Sequence, residues 1–313
     1  MARFIALRLL GAVPVLFLVT VFVFVLVRLS PGDPAAAMAG PAATNADIEA
    51  IRLQLGLDRP LITQFIAWLG QLAHGDLGRS IQANEPVASL IAQRMWPTLA
   101  LAACTIMASV LIAVPLGMAA AWRQGSPLDR GIMAFSVLGF SVPTFVLAYV
   151  WIYIFSMETR LLPVQGYRSL AEGIGAFARH MALPTLTLSS VFIALITRMT
   201  RAAVLDVMTE DYIRTARAKG MGERRVLLRH ALRNAAAPII TVIGLSIAML
   251  IGGVVVTESV FNFPGLGRLT VDAVLARDYT TIQALILVFS MSAVLINLAV
   301  DLLYGLLDPR VGQ

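Results

Sequence analysis

Six stretches of this chain, residues 9–27, 95–122, 131–157, 181–197, 234–257 and 279–300, contain no Asp, Glu, Lys, Arg or His. A bilayer core about 30 Å thick is crossed by about 20 apolar residues in a helix, so each stretch is long enough to cross it or nearly so. In lipid the backbone must satisfy its own hydrogen bonds, which leaves helices as the natural fate of such runs. The expected fold class is therefore an all-α integral membrane protein with six transmembrane helices. The fourth run is the shortest, with 17 residues, and it contains Pro184.

Composition agrees. A chain that is 58% hydrophobic and 13% charged is not an ordinary soluble domain. The net charge of +6 does not point to nucleic acid, because the basic residues collect in one loop of a membrane protein. Cys104, the single cysteine, lies inside an apolar run and offers neither a disulfide framework nor a cysteine metal site. Arg3 and Arg8 ahead of the first run resemble a signal peptide, but the run is long enough to span and no small-residue cleavage site follows it.

Six spans place both chain ends on one side. The N-terminus, second loop, fourth loop and C-terminus hold 14 basic residues against 10 in the other three loops, and nine of the 14 lie in the fourth loop, 198–233. Basic residues close to helix ends favour the cytoplasm, so the fourth loop and both termini are placed there.

The first outer segment, 29–94, is too long for a turn and should carry helices of its own. Thr44 or Asn45 can cap one that ends near Gly56. Pro60 can start another that buries Leu61, Phe65, Trp68 and Leu72 on one face, and the stretch 86–95 approaches the second span through Val87, Leu90 and Ile91. The segment reads as a small lid on the outer membrane surface. The loops 158–180 and 258–278 also face outward. In the latter, Phe261, Phe263 and Leu266 surround Pro264, Gly265 and Gly267, a rigid turn whose apolar tip either touches a partner or packs down onto the neighbouring lid, the second being expected.

Much chemistry is missing. No Gly-x-x-x-x-Gly-Lys-Ser/Thr loop exists and Lys219 is the only lysine, so ATP-driven work must come from another polypeptide. Ion-coupled carriers and proton pumps usually keep ionisable groups at mid-membrane, and the six runs have none. Asp301 lies near the inner end of the last span. His74, His180 and His230 are scattered without metal-ligand spacing. Small residues recur every four positions at Ala113, Gly117 and Ala121 and again at Gly244, Ala248 and Gly252. These stripes are expected to pack within the subunit, the alternative being a seam with a second membrane subunit. Pro115 and Pro238 can bend their spans. Thr185, Thr187, Ser189, Ser190, Gln283 and Asn297 are neutral polar candidates for lining a path, expected mainly to hydrogen-bond between helices.

Within the fourth loop, Asp211-Tyr-Ile-Arg-Thr-Ala-Arg-Ala-Lys-Gly220 reads as a short helix, followed by a Gly-Met-Gly break and a second, basic helix over 223–234. Thr209 can cap the first helix, and Glu210 and Asp211 favour its start. Tyr212, Ala216 and Gly220 are spaced by four, so a large anchor and two small residues can lie in a groove of another protein. The alternative is a linker whose charges only fix topology. In the second helix Arg225, Arg229 and Arg233 share one face and Val226, Leu227, His230 and Ala231 the other. Lipid headgroups are the expected contact for these arginines, an acidic partner surface the alternative.

This stretch, with His230-Ala-Leu-Arg-Asn234 after it, resembles the coupling loop of ABC-importer permeases of the dipeptide and oligopeptide (peptide/nickel) branch, B-type subunit. The family pattern is Glu-Ala-Ala, three residues, Gly, nine residues, then Ile-x-Leu-Pro. Ala216 and Gly220 fall on its consensus positions, while Arg214, Thr215 and Arg233 replace Glu, Ala and Pro, departures shared by the peptide branch. Ser30-Pro-Gly-Asp-Pro34, Leu55-Gly-Leu-Asp-Arg-Pro-Leu61, Gly75-Asp-Leu-Gly78, Asn262-Phe-Pro-Gly-Leu-Gly-Arg268 and Asp301-Leu-Leu-Tyr-Gly305 are similar to that branch in type and order. The resemblance implies a type I importer fold: a single permease domain over 1–313, with a periplasmic helical segment at 29–94 and a cytoplasmic coupling loop at 198–233. It implies a multi-pass protein of the bacterial inner membrane, forming half of a path for short peptides by alternating access. The implied partners are a homologous, non-identical permease, two ATPase subunits that hold ATP and Mg, and a periplasmic or lipid-anchored solute-binding protein. No cofactor is implied on this chain and no catalytic residue. Asp211, Tyr212, Arg214, Ala216, Arg217, Lys219 and Gly220 are the expected ATPase contacts. Nickel or glutathione are alternative cargoes in the family. An ion-coupled carrier acting alone is the rival from another class, and a scaffold that recruits a cytoplasmic protein without transport is a third reading.

Overall fold

The structure, a computed structural model, describes residues 2–29, 35–36, 44–54 and 56–307, without the side chains of 2–9, 27, 51, 54, 251, 301 and 303–307. The side chains of Arg3, Arg8 and Asp301, the motif at 30–34 and Leu55 therefore lie outside what is described. Among the described residues there is no strand, only one isolated antiparallel bridge between Arg79 and Pro86.

Helix α1 covers Ala2–Leu29 and α2 Asn45–Gln54. Thr44 caps α2 as expected: its hydroxyl oxygen accepts the Asp47 N–H at 3.3 Å, and the Asp47 carboxylate accepts the Thr44 N–H at 2.9 Å. Pro60 precedes α3 (Leu61–Ala73). The approach at 86–95 and the second apolar run form one helix, α4 (Val87–Trp122), which absorbs Pro97 and Pro115. The third run is not one straight helix: α5 (Pro127–Ser141) and α6 (Thr144–Ile152) belong to segments that meet at 103°. Pro143 offers no N–H and drives the residue before it out of the helical region, and Val142 is extended at φ −85°, ψ 128°. A π-helical turn, Tyr153–Glu158, continues α6.

The short fourth run lies inside a long helix, α7 (Ile174–Met208), which absorbs Pro184 and runs past Thr197 into the expected loop as far as Met208. Helices α8 (Asp211–Ala218) and α9 (Glu223–Asn234, π-helical over Val226–Ala231) lead across a 60° bend into α10 (Ala236–Val260). Helices α11 (Leu266–Leu275) and α12 (Tyr279–Leu307) are the last of the described elements. Among the described residues α4, α7 and Tyr279–Val300 are each long and apolar enough to cross a membrane; each bent pair would add one, and α1 supplies the shorter apolar stretch Leu10–Leu26.

The chain divides into two compact units, one built mainly on Leu7–Trp96 and Gly265–Val294, the other on Pro97–Pro264 with the chain from Leu295 onward. In the first, α3 packs along α1 through aromatic rings: Phe24 lies 5.1 Å from Phe65 and 5.7 Å from Trp68. The Arg28 guanidinium stacks over Phe24 at 3.5 Å and donates to Gln64 Oε1. Phe65, Trp68 and Leu72 are half-buried, as the sequence predicts, but Leu61 is exposed together with Ile62 and Ile66. Helix α3 therefore carries apolar residues on its exposed side as well as on the face packed against α1. Val87, Ile91, Leu266, Leu269 and Leu285 form a second cluster in this unit. Beside it Asp278 is buried, accepting hydroxyl hydrogen bonds from Ser80 and from Thr281, the latter at 2.8 Å.

The other unit is centred on α7. Leu101 of α4, Leu188, Phe192 and Ile196 of α7, and Leu250 and Val254 of α10 make its main cluster, into which Phe263 inserts. Phe263 meets Tyr167 edge-on at 5.1 Å, and Phe261 packs with Ala148, Ile152 and Leu183. Phe261 and Phe263 are thus interior anchors among the helices of this unit rather than the expected contact with the lid, whereas Leu266 does pack with Val87 and Ile91 of the lid segment. Glu258, expected at the edge of an outward loop, is fully buried and accepts the Thr98 hydroxyl at 2.6 Å. Ser189 and Ser190 donate to the Leu186 carbonyl of their own helix rather than to another helix; Thr185 and Thr187 keep buried hydroxyls without a partner among the described residues, and Asn297 is exposed. Gly117 lies tight against α7 and Gly244 against Val300, so both stripes pack within the chain at these points, whereas Gly252 faces open space. Phe135, Leu138 and Phe140 of α5 and Leu111 of α4 are exposed, an apolar exterior fit for lipid or a membrane partner.

Candidate functional site

The link between α7 and α8 is two residues long. Thr209 does not cap α8; its hydroxyl donates to the Asp206 carbonyl at 2.7 Å and finishes α7. Glu210 takes the N-cap position in an extended conformation without a side-chain cap bond, and its carbonyl accepts the Ile213 and Arg214 N–H groups. Asp211 in the first turn complements the positive end of the helix dipole.

Helix α8 rests on its own chain through Ile213, fully buried, and Ala216, 8% exposed, which contact Val226 of α9 with Val207, Met208 and Met221 around them. The end of α8 is closed by two paired bonds: the Met221 N–H donates to the Ala216 carbonyl at 3.2 Å and the Gly220 N–H to the Arg217 carbonyl at 2.9 Å. This Schellman arrangement requires a left-handed residue, and Gly220 supplies it with φ +77°. Arg217 then clamps the turn, its Nε donating to Glu223 Oε1 at 2.7 Å and its Nη2 to Oε2 at 3.2 Å.

The structure thus divides the face read from the sequence. Tyr212 stands 42% exposed, Ala216 is turned inward, and Gly220 serves the turn, with nothing within 4 Å of a Cβ built on it. Asp211, Arg214, Thr215, Ala218 and Lys219 are exposed beside Tyr212. The Asp211–Arg214 pair, at 3.2 Å, lies in open solvent and adds little stability. Burial, then the nearby Glu210 carboxylate, push the Tyr212 phenol upward, so it stays neutral and able to donate or accept. Sequence reasoning passed over Ile213, the residue that holds α8 down. The signal was there: it is the one aliphatic residue other than Ala in a polar octet, three positions before Ala216.

Val226, Leu227 and Ala231 of α9 are buried and Arg225, Arg229 and Arg233 are exposed, the division that the sequence predicts. A groove of about 690 Å³ runs beside α9, lined by Gly222, Glu223, Arg224, Arg225, Leu228 and Arg229. Among the described residues no group of three or more His, Cys, Asp or Glu is placed to hold a metal ion. The site is a surface of exposed polar groups on a braced helix.

Comparison with known proteins is consistent along the chain. Residues 113–313 match the family described as the binding-protein-dependent transport system inner membrane component, and residues 1–102 match its N-terminal companion. A probable peptide ABC transporter permease protein of Sinorhizobium fredii is 49% identical over 311 residues, covering 99% of both chains. The glutathione transport system permease protein of Escherichia coli K12 is 46% identical over 312 residues, again 99% of both. Among solved structures, an inward-facing MetNI methionine ABC transporter chain superposes with a TM-score of 0.59 at 18% identity, over 71% of this chain and 97% of that one. A chain of an amino acid ABC transporter with histidines gives 0.54 at 15% identity, over 69% and 94%. At these identities the structural likeness concerns the fold.

Proposed function

Because the chain belongs to the family of inner membrane components of binding-protein-dependent transport systems, we propose that it forms half of the translocation path of an ATP-driven importer of short peptides. The observation that carries the substrate class is the 49% identity, over 99% of both chains, to the peptide permease of S. fredii. Glutathione, itself a tripeptide, is the second reading, favoured by the 46% identity to the E. coli permease.

In this reading six spans cross the bacterial inner membrane with both termini in the cytoplasm, and the nine basic residues of the fourth loop support that orientation. A second, homologous but non-identical permease completes the path. Two separate ATPase subunits bind ATP and Mg, and a solute-binding protein delivers the peptide outside. The chain supplies no catalytic group; its part is to change shape. Helix α8 docks in a groove of an ATPase subunit, with Tyr212 as the neutral anchor and Asp211, Arg214, Arg217 and Lys219 as polar contacts around it. Ala216 and Gly220 contribute by seating and ending the helix. Closure of the ATPases on ATP moves α8, and α7, joined to it by two residues, passes the movement into the bundle.

The test is purification of the protein from its native membrane in mild detergent, followed by reconstitution. Co-purification of a second permease and two ATPases, with ATP-dependent uptake of di- to tetrapeptides, is the expected result. A protein that purifies alone and moves solute in vesicles without ATP would be an ion-coupled carrier, and the docking reading would fall. Uptake of glutathione in preference to other short peptides would decide for the second reading.

A further inference from the structure

Helix α5 is fastened to α7 at two levels. At its start Asp129, buried, accepts the N–H of Gly125 at 2.9 Å, while Ser126 accepts the Asp129 N–H, so the residue helps to begin its own helix. The same carboxylate receives Arg201 of α7 side-on, Nε to Oδ1 at 2.6 Å and Nη2 to Oδ2 at 2.8 Å. The Arg201 side chain is 25% exposed and that of Asp129 5%, so the pair is largely out of water and its fork geometry is demanding. Ten residues further along α5, Gly139 lies against the Ser190 carbonyl of α7, where a Cβ would stand 3.2 Å away. Positions rise along α5 as they fall along α7, so the two helices run antiparallel and in register for about 15 Å.

Each end of this fastened stretch leads somewhere. Arg201 sits about 10 Å, two turns, before Met208, the last residue of α7, beyond which only Thr209 and Glu210 precede α8. Beyond Gly139, α5 stops at Ser141 and the chain swings through 103° into α6. Nothing else described ties the start of α5 to α7 by charge.

We propose that the Asp129–Arg201 pair transmits displacement of α8 to α5 and the α5–α6 bend, making both positioning residues of the transport cycle. The proposal rests on the reading that α8 docks on an ATPase. If the pair is broken, α7 moves with α8 but the start of α5 lags, and ATP is spent without full opening of the path.

The experiment uses the complete complex reconstituted with its binding protein and a dipeptide, measuring peptide moved per ATP hydrolysed at equal complex abundance. Asp129→Asn keeps an oxygen for the Gly125 N–H, so the start of α5 is retained; Arg201→Gln removes the charge from the other side. Either change should lower the ratio by about three- to tenfold with hydrolysis little altered, the scale on which single substitutions modulate coupling between sites. The double variant should be no worse than the singles, because the two act as one unit. Arg201→Lys, with charge but no fork, should fall between. As an independent check, Asp129→Cys and Arg201→Cys in a Cys104→Ser background, joined by a short bifunctional thiol reagent, should keep transport coupled. Unchanged stoichiometry in both single variants, or loss of transport on joining the two cysteines, overturns the proposal. If the wild-type complex shows no ATP-dependent uptake, the docking reading fails first; a wild type that couples beside variants that couple equally removes the ion-pair proposal alone.

Discussion

Gly117 of α4 lies so close to Thr200 of α7 that a Cβ added to it would stand 2.6 Å from the Thr200 Cβ and 2.7 Å from the Thr197 carbonyl oxygen. Backbone is on the far side of this contact, so no rotamer change relieves it. Gly117→Ala should already destabilise the protein by about 1–3 kcal/mol through overpacking, seen as a lower thermal midpoint in detergent. Gly252, with nothing within 4 Å of its added Cβ, is the control, and Gly252→Ala should be neutral or stabilising. Equal behaviour of the two positions would show that the α4–α7 approach does not depend on glycine.

Gly244 tests the same principle with a removable obstacle. An added Cβ would lie 2.5 Å and 2.6 Å from the two methyl carbons of Val300 and 3.1 Å from its Cβ. Gly244→Ala alone should cost about 1–3 kcal/mol. In the Gly244→Ala, Val300→Ala double variant the clash shrinks to the Cβ contact, so at least half of that cost should return, a coupling above about 0.5 kcal/mol in a double-mutant cycle. Additive effects would mean that α10 and α12 do not meet here.

These contacts also mark what the sequence makes legible. The six apolar runs are readable because a bilayer dictates their length, and each corresponds to a helix or bent helix pair. The fate of a proline inside such a run is not readable in that way. Pro115 and Pro184 are absorbed by α4 and α7, whereas Pro143 follows the end of α5. Periodicity found α8, but which way Ala216 points depends on Val226, ten residues later, coming back to cover it. The burial of Glu258 and Asp278 was equally out of reach, since their partners Thr98 and Ser80 are more than 150 residues away in sequence.

Ile213 and Tyr212 separate the seat of α8 from its outward surface. Ile213 is fully buried and Tyr212 is 42% exposed, although they are neighbours. Ile213→Ala should cost about 2–5 kcal/mol and free α8 from α9, visible as faster proteolysis in the loop. Tyr212→Ala should leave that protease resistance unchanged while lowering the amount of ATPase that co-purifies. If Tyr212→Ala retains full ATPase binding, the exposed ring is not the anchor and the docking face lies elsewhere on α8.

Gly220 admits two explanations that a substitution series can part. Its φ of +77° demands a residue at ease in the left-handed region, and an added Cβ meets nothing of its own chain within 4 Å. If the turn is what matters, Gly220→Asn should keep most transport, because Asn enters that region readily, while Gly220→Ala should lose about 1–2 kcal/mol of turn stability and Gly220→Val more. If instead a partner surface presses against this position, Asn, the larger side chain, should be worse than Ala. Uptake measured at equal protein abundance gives the order directly. The geometry of the α8–α9 turn favours Gly, then Asn, then Ala, then Val; the order Gly, Ala, Asn would place a partner's surface against Gly220, and wild-type uptake by all three variants would remove the position from the coupling site.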